Sequence, residues 1–303
     1  MAGRRERVTF WIVLAALVAG TAVAYGLLLG REPGRRNAPP QAAQALPLTV
    51  GDLVGEVTIV RGGVRERAVS GATLRQDDAI ETGAGARVQV AGGGYTVTLE
   101  EGGRFAVGEI NAELSRFRLG AGLVSARVQD DPGRAVEIEG APDAVARTRG
   151  GDVSVARVGS VVSVGVRRGR ADFTAAGATV SLAEGQQSQA RAGAGPSAPE
   201  PLPSSLLLKV SWPAPRVTNE RRMVVTGRAT PGAIVVLGGE RVEVQPDGRF
   251  THVIVLREGR QTLTARAMSV AGKVSSEGPA MALDTRAPDA RFDTRDLWVK
   301  PRR

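Results

Sequence analysis

The sequence predicts an all-β protein whose one helix is a transmembrane segment near the N-terminus. Three observations support this prediction. Val, Thr and Gly dominate the middle of the chain, and glycine alone accounts for 39 of the 303 residues. Short runs of alternating apolar and polar residues follow one another, separated by glycine or proline clusters, which is typical of strands joined by turns. One uncharged apolar stretch, residues 8–30, stands apart from this pattern.

The stretch at residues 8–30 is predicted to cross a membrane as a helix. It is apolar throughout and longer than the roughly 20 residues that span a bilayer. Trp11 and Tyr25 lie toward its two ends, where amphipathic rings prefer the membrane interface. Residues 1–7 are too few to fold. We therefore expect them in the cytoplasm and the bulk of the chain in the periplasm, as in a single-pass inner-membrane protein.

A cleaved signal peptide is the alternative interpretation of the same stretch. Ala22-Val23-Ala24 and Ala43-Gln44-Ala45 both have the small-x-small pattern of a cleavage site. Cleavage at the first would leave Leu27-Leu28-Leu29 at the new terminus, so we favour an uncleaved anchor. Arginines flank the stretch on both sides, and the positive-inside rule alone therefore does not orient it.

A Pro/Ala-rich linker at residues 31–48 leads from the anchor to a first β region, predicted at residues 49–192. Alternation places Val on one face of each short run and Ser, Thr or Arg on the other. Glycine clusters such as Gly92-Gly93-Gly94 separate the runs. A β-sandwich and a short β-solenoid fit this pattern equally well. The clearest runs are Val57–Val60, Arg87–Val90, Tyr95–Leu99, Val153–Val155 and Val161–Val164.

A second β region is predicted at residues 206–285, after a Pro-rich linker at residues 193–205. Its turn signals are sharp, as in Thr230-Pro231-Gly232 and Pro246-Asp247-Gly248. Its length is that of a small immunoglobulin-like sandwich. Residues 286–303 are charged and are predicted to form a tail.

The first β region resembles the FecR domain family. The best match is the segment Leu74-Arg75-Gln76-Asp77-Asp78-Ala79-Ile80-Glu81-Thr82-Gly83-Ala84-Gly85-Ala86-Arg87-Val88-Gln89-Val90. Here we expect Asp78 to cap a turn, Ile80 to face the core and the glycines to permit positive φ between two strands. The segment departs from the family at Gln76, where a glycine is usual. Further matches are Leu119–Val124, Ala141–Val155, Arg168–Ala171 and Leu182–Gln186, and further departures are Gly92–Tyr95 and Gly150–Asp152.

The second β region resembles bacterial immunoglobulin-like repeats of cell-surface proteins. Val225–Val236 matches the opening strand, turn and second strand of such a repeat. Val244–Phe250 matches its Asp-Gly-x-Phe hairpin, in which Phe250 supplies a bulky core side chain. Later strands match at Leu256–Gly259 and Leu263–Ala267, and Leu283–Pro288 resembles the boundary between two repeats.

Residues with catalytic or metal-binding chemistry are sparse. The chain has no cysteine and one histidine, His252, which alternation places on a strand face with Phe250 and Ile254. The carboxylate pairs Asp77-Asp78 and Asp130-Asp131 lie beside turn signals, and adjacent strand residues point to opposite faces. Gly92-Gly93-Gly94 is followed by no Gly-Lys-Ser/Thr sequence and is not a phosphate loop. We therefore predict a protein that is not an enzyme and name no catalytic, cofactor-binding or metal-binding residue.

The formal charge of +9 comes almost entirely from arginine. Such a balance permits contact with anionic partners. Arginines alternate with valine along half-exposed strands, as in Val164-Gly165-Val166-Arg167, and no basic run with interleaved aromatic residues occurs. Nucleic-acid binding is therefore not expected.

Three hypotheses for the function follow. The first is a non-catalytic, membrane-anchored binding or scaffold protein of the bacterial envelope, with envelope proteins or cell-wall polymer as partners. The second is a transmembrane signalling regulator, since the resemblance to FecR implies relay of an external signal to a sigma factor. Residues 1–7 are too short to hold a sigma factor, which favours the first hypothesis. The third is binding of cell-wall carbohydrate, which the scarcity of aromatic residues disfavours. The oligomeric state is left open.

Overall fold

The structure is a computed structural model that describes residues 47–212, 217–245 and 247–285. All of these residues belong to one compact unit. Within them no helix is long and apolar enough to span a membrane. The predicted membrane segment at residues 8–30, nearly all of the linker at residues 31–48 and the predicted tail at residues 286–303 lie outside the described residues.

Strands account for the regular structure of the described residues, so the predicted all-β class is confirmed. In the first β region they are β1 (Leu48–Val54), β2 (Val57–Arg61), β3 (Val64–Arg67), β4 (Thr73–Leu74), β5 (Ala79–Thr82), β6 (Arg87–Gly92), β7 (Tyr95–Leu99), β8 (Arg104–Ile110), β9 (Leu114–Val128), β10 (Ala135–Ala141), β11 (Ala144–Thr148), β12 (Gly151–Val158), β13 (Val161–Ala175), β14 (Ala178–Ala183), β15 (Gln186–Arg191) and β16 (Glu200–Pro201). In the second they are β17 (Leu208–Ser211), β18 (Val217–Thr218), β19 (Arg222–Ala229), β20 (Ile234–Leu237), β21 (Glu240–Val242), β22 (Arg249–Val255), β23 (Gly259–Ser269) and β24 (Gly272–Leu283).

The sixteen strands of the first region form two layers that share two long strands. The upper layer has the order β4-β1-β6-β7-β9-β12-β13-β15-β16, and the lower layer has the order β3-β2-β5-β8-β9-β10-β11-β13-β14. Strands β9 and β13 contain 15 residues each and pass from one layer into the other. The sequence left a sandwich and a solenoid open, and in the structure the two layers are joined into one sheet through these shared strands.

The core of the first region lies between the two layers. Strand alternation puts every second residue inside, as in β7, where Tyr95, Val97 and Leu99 are buried and the two threonines between them are partly exposed. Phe105 and Phe117 meet edge to face at 5.6 Å, a geometry that aromatic rings favour. This core is large enough to hold the region together without cysteine.

The second region also has two layers, a three-stranded sheet β17-β19-β22 and a five-stranded sheet β18-β24-β23-β20-β21. Its core lies between them and includes Val225, Phe250 and Met281. Phe250 is 2% exposed, so its predicted place in the core is confirmed. The predicted hairpin before it is instead a turn that connects β21 of the five-stranded sheet to β22 of the three-stranded sheet. The predicted linker at residues 193–205 contains β16, which pairs with β15 and so extends the upper layer of the first region.

Candidate binding groove and the contact between the two β regions

A third apolar cluster joins the two β regions, and we call it the seam. Strand β20 is buried along its whole length, since Val235 and Leu237 face the core of the second region and Ile234 and Val236 face outward onto the first. The complete seam consists of Leu123, Ala156, Ile234, Val236, Met268 and Val270, each no more than 5% exposed, with Val158 and Leu202 packed at its border.

Backbone approach at the seam is close. Gly165 lies on the upper layer beneath the seam, and a Cβ atom there would come within 2.9 Å of side-chain carbons of Leu202 and Val270. Any larger residue would therefore push the two regions apart. Glycine at this position allows the second region to pack directly on the sheet.

Charged contacts border the seam on one side. Arg266 pairs with Glu101 at 2.9 Å, and Lys273 pairs with Glu100 at 2.5 Å. Arg241 donates a hydrogen bond to the carbonyl oxygen of Gly102 at 2.6 Å. Both carboxylate side chains are at most 10% exposed, so each buried charge is satisfied by a cation from the other region. The seam is thus specific in register as well as apolar.

The seam covers only part of the outward face of the upper layer, and the uncovered part is a polar groove. Five neighbouring strands, β6, β7, β9, β12 and β13, form its floor. At the usual spacing between strands the groove extends about 20 Å. It encloses a cavity of about 210 Å³. Its polar lining residues are Gln89, Thr96, Thr98, Ser125, Arg127, Asp152, Ser154 and Arg167.

The first row of the polar groove carries amide and hydroxyl groups. Strand register aligns Gln89, Thr98, Ser125 and Ser154 side by side. The hydroxyls of Ser125 and Ser154 hydrogen-bond each other at 2.9 Å. Gln89 and Thr98 have no side-chain hydrogen bond to any described residue, and both are partly exposed. Their donors and acceptors are available to a ligand.

The second row of the polar groove is charged. Register aligns Thr96, Arg127, Asp152 and Arg168. Arg127 lies 3.2 Å from Asp152, and Arg168 lies 4.0 Å from the same carboxylate. Arg168 is not itself a lining residue, but its neighbour Arg167 is, so the lining holds one carboxylate and two guanidinium groups. This end of the groove is net positive and suits an acidic or carboxylate-bearing group.

A second concavity lies at the border of the seam and has a volume of about 350 Å³. Its charged lining groups Glu100, Glu101, Arg266 and Lys273 already pair with one another. Arg87 is the lining cation that has no side-chain partner within the described part of the chain. The polar groove offers more unpaired hydrogen-bonding groups, and we take it as the candidate site.

The carboxylate pair Asp77-Asp78 serves the fold. Asp78 is 2% exposed and accepts hydrogen bonds from Arg61 Nε at 2.9 Å, from Arg61 Nη2 at 2.7 Å and from the Arg75 amide at 2.8 Å. Burial alone would raise the pKa of Asp78, but the hydrogen bonds from Arg61 and Arg75 outweigh it and hold that pKa below its usual value. Asp77 points to solvent, where it pairs with Arg118 at 2.8 Å.

The other singled-out residues also occupy structural positions. Asp131 accepts a hydrogen bond from the Gly133 amide in a turn. Gly93 and Gly94 form the β6–β7 hairpin turn. His252 faces inward with Phe250 and Ile254, as alternation predicted, and its Nε2 lies 3.2 Å from Glu240 Oε2. Within the described ranges no group of three or more His, Cys, Asp or Glu side chains is placed to hold a metal ion.

The polar groove was not predicted from the sequence. Alternation in β9 and β12 does place Ser125, Arg127, Asp152 and Ser154 on outward faces. It does not show that these two strands are neighbours, because they are joined through the pairing of residues 122–128 with residues 151–157. Alternation therefore indicated outward polar residues in each strand, but it did not show that the two strands pair and bring these residues together.

Comparison with known proteins found no matching family model and no matching curated protein. Among solved structures, the chain is similar to two crystal structures described as an anti-sigma factor from Parabacteroides distasonis ATCC 8503, with 18% and 19% identity and TM-scores of 0.37. Each alignment covers 41% of this chain and 59% of the other. A polysaccharide lyase aligns over 81% of this chain and 40% of its own length, with 11% identity and a TM-score of 0.20. Likenesses at these TM-scores do not establish a shared fold.

Proposed function

We propose that this chain is a non-catalytic, membrane-anchored binding or scaffold protein of the bacterial envelope, with its two β regions in the periplasm. In this proposal the first region is a FecR-like domain and the second an immunoglobulin-like sandwich. The observation that supports it best is the seam, whose apolar cluster and three charged contacts hold the two regions as one body. A rigid body of this kind suits a protein that presents a fixed surface to a partner.

The proposed binding surface is the polar groove. It offers amide and hydroxyl groups from Gln89, Thr96 and Thr98, which no described residue hydrogen-bonds, beside the charged groups of Arg127, Asp152 and Arg167. Such a lining suits a polymer rich in hydroxyl and amide groups that also carries carboxylates, or an extended polar peptide. Cell-wall polymer and envelope proteins both meet this description, and both are partners that the sequence suggested.

The test is a crosslinking pull-down from intact cells, with the full chain, a variant lacking residues 1–30, and the groove variant Thr98→Tyr. Thr98 faces outward, so a tyrosine there fills the groove without entering the core. We expect the full chain to recover wall polymer or envelope proteins, and Thr98→Tyr to recover about tenfold less, as is common when a central contact is blocked. The matched control is Thr179→Tyr on exposed β14, which should behave as the full chain does.

The outcomes separate the three functional hypotheses. Recovery of wall polymer or envelope proteins that Thr98→Tyr abolishes supports the groove as the binding surface. If Thr98→Tyr recovers as much as the full chain does, the groove is not the binding surface, and the scaffold protein would bind its partner elsewhere. Recovery of a sigma factor or a membrane signalling protein, dependent on residues 1–30, would replace the scaffold proposal with signalling. Titration calorimetry with peptidoglycan fragments then decides whether the partner is carbohydrate, because absence of heat at high concentration excludes it.

A further inference from the structure

The outward face of the three-stranded sheet in the second region carries an unusual set of side chains. We call it the cationic face and define it by the ten outward residues of β17, β19 and β22. They are Lys209, Ser211, Arg222, Val224, Thr226, Arg228, Arg249, Thr251, Val253 and Val255, and all ten are exposed. No Asp or Glu occurs among these outward positions of the three described strands.

Strand register arranges the cationic face in rows. Lys209 lies opposite Arg228, and Arg228 lies opposite Arg249, so three cations stand side by side across three strands. Like charges directly opposite each other on a sheet are destabilising. Only Arg249 has a described acidic neighbour, Asp247, whose Oδ2 lies 3.4 Å from its Nε. The row therefore has a charge that the described part of the protein does not neutralise.

The next rows are hydroxyls and then valines. Ser211, Thr226 and Thr251 form the second row, and no described residue hydrogen-bonds their side chains. Val224 and Val253 form the third row and are 59% and 46% exposed. Exposed paired valines on one face, beside cations and hydroxyls, make a surface that is partly apolar and strongly positive.

We propose that the cationic face docks on a bilayer surface through anionic phospholipid headgroups. The cation row and hydroxyl row supply charge-assisted and neutral donors to phosphate oxygens, at spacings of about 5 Å from strand to strand. The valines lie against the acyl boundary, and the long arginine and lysine stems allow their charged ends to remain at headgroup level. The face lacks the aromatic and methionine anchors that protein–protein interface cores use, which favours a lipid surface over an acidic protein.

The experiment uses the full chain, which contains no cysteine, so a single introduced cysteine can be labelled specifically. Ser211→Cys, at the edge of the cationic face, is labelled with a small fluorophore, and the chain is mixed with vesicles of phosphatidylcholine alone or with about a third phosphatidylglycerol. Quenching by neutral acrylamide measures access to the label. We expect quenching to fall by about half on the anionic vesicles and to recover in high salt, since screening weakens headgroup attraction. The same label at Thr179→Cys should not change.

The deciding variant is Lys209→Gln/Arg228→Gln/Arg249→Gln, which should lose the protection. Its matched control, Arg67→Gln/Arg170→Gln/Arg191→Gln, removes the same charge from exposed positions elsewhere and should keep it. Equal quenching on both kinds of vesicle, or equal loss in both triple variants, would overturn the proposal. If soluble polyphosphate protects the label from quenching and vesicles do not, the face binds a free polyanion, and this outcome would also overturn the proposal. Flotation with phosphatidylcholine vesicles separately reports the anchor at residues 8–30.

Discussion

Asp78 shows how one side chain holds together a loop and two strands. Its carboxylate accepts hydrogen bonds from the Arg61 side chain at the end of β2 and from the Arg75 amide in the preceding turn. Because Asp78 is only 2% exposed, these contacts replace the hydrogen bonds to water that its carboxylate loses on folding. The predicted turn cap is therefore also the acceptor of a buried ion pair. Its partner Arg61 lies 17 positions earlier in the chain, and the fold brings the two side chains together.

We predict that Asp78→Asn lowers the free energy of unfolding by about 2 kcal/mol at neutral pH, because the amide leaves a charged partner poorly satisfied. The matched control is Asp77→Asn, where an exposed ion pair is replaced and the change should stay below about 1 kcal/mol. Denaturant unfolding of both variants measures the difference. Equal effects of the two substitutions would contradict the structural role of Asp78.

The depressed pKa of Asp78 also makes a pH prediction. Its folded-state pKa lies below the unfolded value of about 3.9, so its contribution to stability is present above that pH. It is lost as the pH falls through the folded-state pKa. We expect the free energy of unfolding of the wild-type chain to decrease below about pH 4 more steeply than that of Asp78→Asn. Parallel pH profiles for the two proteins would show that Asp78 does not titrate in this way.

At the scale of elements, the two long strands decide how the first region becomes a two-layered structure. Each contains a glycine with positive φ where it passes from one layer to the other, Gly122 in β9 with φ 102° and Gly169 in β13 with φ 83°. Up to Gly169, β13 pairs with β12 and β15, and beyond it β13 pairs with β11 and β14. A residue without Cβ is needed because the backbones of Gly150 and Gly151 lie against Gly169.

We predict that Gly169→Ala destabilises the protein by about 2–4 kcal/mol, from positive φ together with contact against the Gly150 carbonyl, 2.9 Å from the new Cβ. The control is Gly177→Ala, whose φ of 78° is similar but whose Cβ would meet no atom within 4 Å. It should cost only about 1–2 kcal/mol. Thermal unfolding measured by circular dichroism gives both values. A loss no larger at Gly169 than at Gly177 would show that the close approach does not matter.

At the scale of the whole molecule, the seam turns two β regions into one body. The cluster is small, but Val270 is 3% exposed and lies against Gly165 of the other region. Contacts of this kind between domains often give way to relative motion unless they are apolar and well packed. The charged contacts of Glu100 and Glu101 add register specificity to the packing.

We predict that the wild-type chain unfolds in one calorimetric transition and that Val270→Asp separates it into two. A carboxylate at that position would be buried without a partner, which costs several kcal/mol and breaks the seam before either core. The control is Val69→Asp at a position that is 61% exposed, and it should leave a single transition. A single transition in Val270→Asp, merely shifted in temperature, would show that the two regions unfold as one unit without the seam.

The sequence by itself determined the class of structure and the positions of the strands with the clearest alternation. Period-two alternation is a local property, so each run such as Tyr95–Leu99 shows which of its residues point inward. Turn chemistry is equally local, which is why turns at Asp78 and at Asp247-Gly248 were predicted. The second turn is not the predicted hairpin, because β21 and β22 on either side of it lie in different sheets. The same alternation placed His252 on the inward side of its strand.

Only the tertiary structure decided which faces are covered and which side chains stand together. The polar groove, the seam and the cationic face all depend on pairing between strands that are distant in the chain, such as β9 with β12 and β17 with β19. Alternation fixes the face of a residue within its own strand and carries no information about the neighbouring strand or its register. Strand β20 illustrates this. Its continuous apolar run indicates burial on both faces, but it does not show which strands pack against each face.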